Sequence, residues 1–341
     1  MKLSDFDYPV PRELIAQHPL KKRDSCRLMV VKREGGKIYH DKFCRLLEYL
    51  PENSVLVLND SKVIPARIFG RRITGGRVEV LLLKKAAGRN TFEALINPFK
   101  KLKVDERLLF DHGRLSCRLI DPKARLVQFN CDIQKRLNKL GHIPLPPYIK
   151  RPDESADKTD YQTVYAKHPG SVASPTAGLH FPRGLLRKIK SRGIGIASVT
   201  LHVNYATFNP IKEAGIRQHQ MYSEDYSISA ATLTTLKAAR AVNKKIIAVG
   251  TTACRVLETL GQNHLEDYPA KNLSGSTDIF IYPGYKFKLT DALLTNFHFP
   301  KTTLLLLVCA LAGRSLIMRA YREAIEKKYR FYSYGDAMLI L

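Results

Sequence analysis

Three short runs in this chain join small or hydroxylated residues to groups that can move a proton or hold a charge. They are SPTAGLHF (174–181), GTTACR (250–255) and STDIFIYPGYKF (276–287). Small residues let a backbone approach a ligand closely, and hydroxyls and imidazoles both donate and accept hydrogen bonds. Each run alone also fits a structural role: Pro175 and Gly178 suit a turn, and His180 suits a satisfied core position. Together the three point to the walls of one pocket. His180, His202 and His298 stand among polar residues at the ends of strand-like or loop-like stretches, where a proton-transfer group belongs.

The elements that must position these runs alternate in the α/β manner. SVLVLND (54–60) reads as a central strand with a polar exit, which makes Asn59, Asp60 and Ser61 candidates for ligand contact; a turn closed by an Asx bond is the equal alternative. Helices are expected over 183–192 and 229–243, and strands over 194–203 and through KKIIAVG. The latter runs into GTTACR, where Thr251 or Thr252 would cap a helix reaching Leu260, a place suited to an anion or nucleotide. STDIFIYPG and ALLTNFHFP read as further strands, and 304–328 as one or two closing helices.

Between 62 and 150 the character changes. Short strand-like runs (ARIFG, RVEVLLLK, TFEALI, RLLF, LSCRLI, RLVQF) are separated by Gly, Asn, Asp and Pro, the spacing of a small antiparallel barrel or sandwich. The chain carries 56 Lys and Arg against 31 Asp and Glu, a net charge of +25, and this segment alone holds 20 against 7. Such a concentration on a compact β-domain suits phosphate contacts, with Arg71, Arg72 and Lys84 as a sample patch and 314–330 as a second basic stretch. A solvated basic surface is the plainer reading. The domain plan is therefore 62–150 inserted into a discontinuous α/β domain formed by 1–61 and 151–341. Residues 141–170, proline-rich then charged, read as an extended connector, with 153–160 mobile.

Several classes are excluded by what the sequence lacks. The six cysteines are scattered without a C-x-x-C pair, and there is no H-E-x-x-H, so no metal site is expected. No phosphate-binding P-loop occurs, and GIG (193–195) lacks a third glycine and precedes a strand instead of following one. MKLSDFDYPVP has acids and prolines where a signal peptide needs an apolar core, which points to the cytosol; the apolar run 304–312 is too short for a membrane and reads as a buried helix.

The runs LIAQHP, RDSCRLMV, LNDSKVIPARIFG, GHIPLPPYI, YQTVYA, PTAGLHF, TLHV, GTTACRVLET, TDIFIYPGY, TNFHFPKTTLLLLV and YRFYSYGDAMLIL occur in order from end to end. In these the chain closely resembles the S-adenosylmethionine:tRNA ribosyltransferase-isomerase family of queuosine biosynthesis. The resemblance implies an α/β, mixed-sheet catalytic domain with an inserted small antiparallel β-barrel domain. It implies a transferase with no cofactor, S-adenosylmethionine being consumed as a substrate. Its ribosyl part is rearranged and joined to 7-aminomethyl-7-deazaguanine at the wobble position of a tRNA, giving epoxyqueuosine, adenine and methionine. A monomer is expected. The chain departs from the family pattern at Asn204, Tyr205 and Ala206 (LHVNYATF for LHVGLGTF), at Ser276, at Tyr222 and at Cys254.

The substrate dictates what the site must contain. A sulfonium acidifies the neighbouring C5′ hydrogens, so a base removing one leaves a sulfur-stabilised ylide, and departing adenine needs a proton or hydrogen bond. His180 and His298 are the leading proton-handling candidates, with Asp278 a third. Phe181, Tyr282 and Tyr285 offer aromatic faces to the sulfonium or a base, and Arg255 suits the methionine carboxylate. Thr176, Thr251, Thr252, His202, Asn59 and Asp60 complete the expected binding set. A non-catalytic RNA-binding protein and a conventional RNA methyltransferase are the competing readings. The clustered hydroxyl, His and Asp positions outside the barrel speak against the first, and the missing glycine fingerprint against the second.

Overall fold

The structure, a computed structural model, describes residues 1–100, 102–204, 211 and 215–341. The departures at Tyr205 and Ala206 lie outside the described residues.

Strands β1 (Arg27–Val31) and β2 (Ile38–Lys42) form an antiparallel hairpin. Strand β3 (Ser54–Asn59) is buried along its whole length, as the aliphatic run SVLVL requires, and β4 (Ser61–Val63) follows it. Six strands then close on themselves: β5 (Arg67–Arg72), β6 (Arg77–Lys85), β7 (Thr91–Asn97), β8 (Arg107–Phe110), β9 (Leu115–Asp121) and β10 (Leu126–Phe129). They form a closed barrel in the order β10-β7-β6-β5-β8-β9, every pairing antiparallel. Strand alternation turns Ile68, Val80, Ala94, Leu108 and Val127 inward. Gly70 lets β5 and β8 close, because a Cβ there would meet the Leu109 carbonyl at 2.4 Å and the Phe110 ring at 2.5 Å.

The remaining strands are β11 (His168–Ser171), β12 (Gly195–Leu201), β13 (Glu224–Ile228), β14 (Lys245–Val249), β15 (Leu273–Thr277), β16 (Ala292–Asn296) and β17 (Ala337–Ile340). One nine-stranded sheet runs β15-β13-β12-β3-β14-β16-β17-β1-β2, and β11 pairs with β4 apart from it. Strands β12, β3, β14 and β16 are mutually parallel, so their carboxyl ends share one edge. Strand β17 is antiparallel to β16 and parallel to β1, and its amino end meets that same edge. One apolar cluster packs on each face of the sheet, and the barrel has its own core.

Several expectations need correction. Residues 278–282 do not form a strand: β15 ends at Thr277, opposite Glu224, the first residue of its partner β13, so beyond it no ladder is available. Residues 153–160 are anchored. Asp157 is 2% exposed and takes a two-pronged bond from Arg151 (2.7 and 2.8 Å), one from Tyr334 Oη (2.9 Å) and one from the Glu154 amide (2.8 Å). Asp153 accepts from His142 Nδ1 (2.9 Å) and the Ile143 amide (3.0 Å). Asp153 and Asp157, which look solvated in sequence, are consumed in pairs. No single helix is long and apolar enough to cross a membrane; residues 303–312 form a buried helix (Thr303–Ala312).

Candidate active site

Where the carboxyl ends of β12, β14 and β16 meet the amino end of β17 a pocket opens, with about 610 Å³ of empty space counting its open mouth. Crevices outside the carboxyl ends of parallel strands are the usual ligand sites of such sheets. Its floor is the turn from β14 into the helix Thr251–Leu260. Gly250, not a threonine, occupies the N-cap, with φ +90°, a region a side chain rarely tolerates; neither Thr251 nor Thr252 caps. The first amides of that helix therefore keep their hydrogen-bonding capacity at the pocket floor. Thr252 Oγ1 is buried with no partner, and so is Ser174 Oγ on the adjoining wall. Orphaned hydroxyls are costly, and two of them lining one cavity are capacity held for a ligand.

Strand β16 delivers the reactive side. Asn296 sits at its end, and Asn296 Nδ2 donates to His180 Nε2 (3.1 Å) and to the Tyr332 carbonyl (3.1 Å), while Thr176 Oγ1 donates to Asn296 Oδ1 (3.0 Å). His180 must then carry its proton on Nδ1, which faces Cys26 Sγ at 3.2 Å. Burial, helped by Arg330 and Arg23, pulls the His180 pKa down to about 3. Two residues on, His298 lines the pocket, with Nε2 2.7 Å from Thr295 Oγ1. Its backbone is pinned by Tyr321 Oη, which accepts from the His298 amide (3.0 Å), and by Tyr8 Oη, which donates to the carbonyl. Burial alone takes its pKa to about 3, so both imidazoles are neutral at pH 7.

An aromatic wall completes the pocket. Phe299 and Tyr332 stack with ring centroids 3.6 Å apart and planes at 14°, and Tyr148 packs against both at 4.9 and 5.0 Å. Sequence reasoning gave no role to Tyr148, Phe299, Tyr332, Asn296 or Ser174. All five lie in runs quoted for the resemblance or singled out as pocket wall, but nothing in their spacing marks them as neighbours.

Of the expected site residues, Thr176, Thr251, Thr252 and His298 line this pocket. His180 stands behind Asn296 and opens onto a neighbouring cleft with Cys26, Arg23 and Asp160. Phe181 is fully buried, edge-on to Phe43 at 5.0 Å. Asn59 ties the end of β3 to β12, donating to the Leu201 carbonyl and accepting from the Leu201 and Ser61 amides. Asp60 accepts from Thr200 Oγ1 at 2.6 Å. His202 lines a different cleft, between sheet and barrel, with Lys84 and Asp225. Arg255 is buried in an ion pair with Glu224 and donates to the Thr277 carbonyl at 3.3 Å. Tyr285 Oη donates to Glu258 (3.0 Å), Tyr282 packs on Phe280, and Asp278 is exposed; none of the three lines the pocket. Among the described residues no three His, Cys, Asp or Glu side chains gather as a metal site would require.

A pocket at the carboxyl edge of a mixed sheet, with neutral histidine, unpaired hydroxyls and stacked aromatics but no glycine-rich phosphate loop, defines an α/β enzyme for a substrate with an aromatic ring and polar arms. The chain belongs to the queuosine biosynthesis protein family, whose model matches residues 3–340. It is 47% identical over 347 residues to the S-adenosylmethionine:tRNA ribosyltransferase-isomerase of Desulforamulus reducens and 49% identical over 347 residues to that of Halothermothrix orenii, in each case across 100% of both chains. It is similar too to the crystal structure of S-adenosylmethionine tRNA ribosyltransferase from Thermotoga maritima, with 37% identity, a TM-score of 0.57, and coverage of 99% of this chain and 100% of that one.

Proposed function

We propose that the protein is an S-adenosylmethionine:tRNA ribosyltransferase-isomerase, which transfers and isomerises the ribosyl part of S-adenosylmethionine onto 7-aminomethyl-7-deazaguanine at the tRNA wobble position. The observation that carries this is the end-to-end relation to relatives of that name. The pocket fits the chemistry. Stacked Phe299 and Tyr332 and the nearby Tyr148 present faces to adenine or to the sulfonium, and the Ser174 and Thr252 hydroxyls meet its polar arms.

In this reading His298, which lines the pocket, is the group that acts on C5′. A neutral imidazole beside a sulfonium adds no like charge, and it removes a C5′ proton while the electron pair stays on carbon as the ylide. The imidazolium so formed returns that proton to departing adenine as the C1′–N bond breaks. His180 is a positioning residue: it fixes the Asn296 amide, which lines the pocket together with its hydrogen-bond partner Thr176. In this reading no cofactor is held, 62–150 is an inserted domain, and the enzyme works as a monomer in the cytosol.

The test is to incubate the protein with S-adenosylmethionine and a tRNA carrying the aminomethyl-deazaguanine, then measure adenine, methionine and the mass of the wobble nucleoside. One adenine and one methionine per modified tRNA are expected. S-adenosylhomocysteine in place of adenine would make it a methyltransferase, and RNA binding without either product a binding protein.

A further inference from the structure

The outer face of the barrel carries a groove with about 1680 Å³ of empty space counting its open mouth, bordered by β5, β6 and the turn after β8. On β5, alternation turns Phe69 and Arg71 outward; on β6 it turns Arg77 and Glu79 outward. The register sets Arg71 directly opposite Arg77. Like charges facing each other across a ladder are destabilising, so the pair calls for an anion. The barrel does not supply one. The two carboxylates in the groove are already engaged, Glu79 with Arg67 at 2.9 Å and Asp111 with Arg136 at 3.7 Å, and among the described residues neither Arg71 nor Arg77 has a carboxylate partner. The other cations of the patch expected from sequence are used internally: Arg72 grips Glu106 and Lys84 bridges to Asp225. Beside the arginines, Phe69 is 53% exposed and Ile73 68%, apolar surface that a barrel in water gains nothing by displaying.

We propose that this face is a binding site for a single-stranded stretch of the tRNA, with phosphates meeting Arg71 and Arg77 and a base stacked on Phe69. An aromatic platform beside paired cations in a groove is the arrangement that holds single strands without reading their sequence. The face is also tied to the active site. The Phe69 ring lies edge-on to His142 at 5.0 Å, and the chain from His142 to Tyr148, which lines the catalytic pocket, spans at most about 22 Å. A few nucleotides of extended strand bridge that gap, so the groove would grip the strand next to the flipped target base. This rests on the function proposed above and names the surface that holds its RNA substrate.

The experiment compares wild type with Phe69→Ala and with the double variant Arg71→Gln/Arg77→Gln. It measures affinity for an anticodon stem-loop RNA across salt, direct binding of S-adenosylmethionine, and melting temperature. Phe69→Ala should weaken RNA binding about 5- to 160-fold, the effect of losing one stacked base. The double variant should lower the slope of log affinity against log salt by about 1.4, as expected for two lost phosphate contacts on a single strand. S-adenosylmethionine binding and melting should stay at wild-type values. If wild type turns over and both variants bind RNA with unchanged affinity and slope, this proposal alone fails. If wild type releases no adenine and binds no RNA, the enzyme reading fails with it. A wild-type dimer that Phe69→Ala dissociates would show the face to be an interface between copies, and would overturn the proposal.

Discussion

His180 and Asn296 are joined side chain to side chain across 116 residues of sequence, Asn296 Nδ2 donating to His180 Nε2 at 3.1 Å. That bond fixes the tautomer of the imidazole and the orientation of the amide together, so the face Asn296 shows to the pocket is set by a residue that does not line it. His180→Ala should therefore lower kcat by more than it raises KM for S-adenosylmethionine. It should also cost about 1–3 kcal/mol of stability, the penalty of leaving a buried donor unpaired. His180→Gln, able to accept from Asn296, should recover part of the rate; equal loss in both variants would deny the positioning role. Urea unfolding and steady-state kinetics on the same preparations decide it.

For His298 the expected effect is on the chemical step itself. Replacing it with Ala should slow single-turnover adenine release roughly 10²- to 10⁴-fold, the usual contribution of a positioned acid–base group, with a smaller change in substrate binding. A folded, stable variant with near-normal turnover would remove it from the chemistry.

Both histidines also make a pH signature. Their pKa values fall from 6.5 to about 3 on folding, so between those limits the unfolded chain binds more protons than the folded one. The contribution of these two groups should therefore be constant above about pH 7 and be lost as pH drops from 6.5 towards 3. At pH 4.5 each histidine should account for roughly 2–3 kcal/mol of that loss. Asp336, whose carboxyl burial raises, works in the other sense, so the measurement is the difference between wild type and His→Asn variants in urea unfolding at pH 7 and 4.5. Parallel wild-type and variant curves would contradict it.

Arg255 and Glu224 are 3% and 2% exposed in side chain, so removing one partner leaves a buried charge. Arg255→Met should destabilise by about 3–5 kcal/mol, and adding Glu224→Gln should return much of that. Arg255 does not line the pocket in this structure; if it nevertheless meets the methionine carboxylate, KM for S-adenosylmethionine will stay high in the stable double variant. A recovered KM would confine Arg255 to the ion pair.

The barrel and the alternating body were legible because their signals are local. Strand runs between Gly, Asn and Pro mark β5 to β10, and KKIIAVG leading into small residues marks a strand, turn and helix. The pocket was half legible: Thr176, Thr251, Thr252 and His298 stand in conspicuous polar runs. Tyr148, Tyr332 and Phe299 do not, since their meeting depends on where three distant segments cross at one sheet edge. The charged stretch before Tyr161 misled for a related reason: nothing local tells that Asp157 finds Arg151 and Tyr334 in the folded state.

Strand β17 fills the gap between β16 and β1, and the Arg27 amide donates to Asp336 across 309 residues. Until that last ribbon docks, β16 and β1 are two bare apolar edges, and the β1–β2 hairpin has nothing to join. Closing so wide a loop is slow, and unpaired edges of this kind recruit strands from other chains. The hazard for this molecule thus lies in the time before assembly is finished: crowded nascent chains would stick to one another edge to edge, and slower, cooler production should yield more soluble protein.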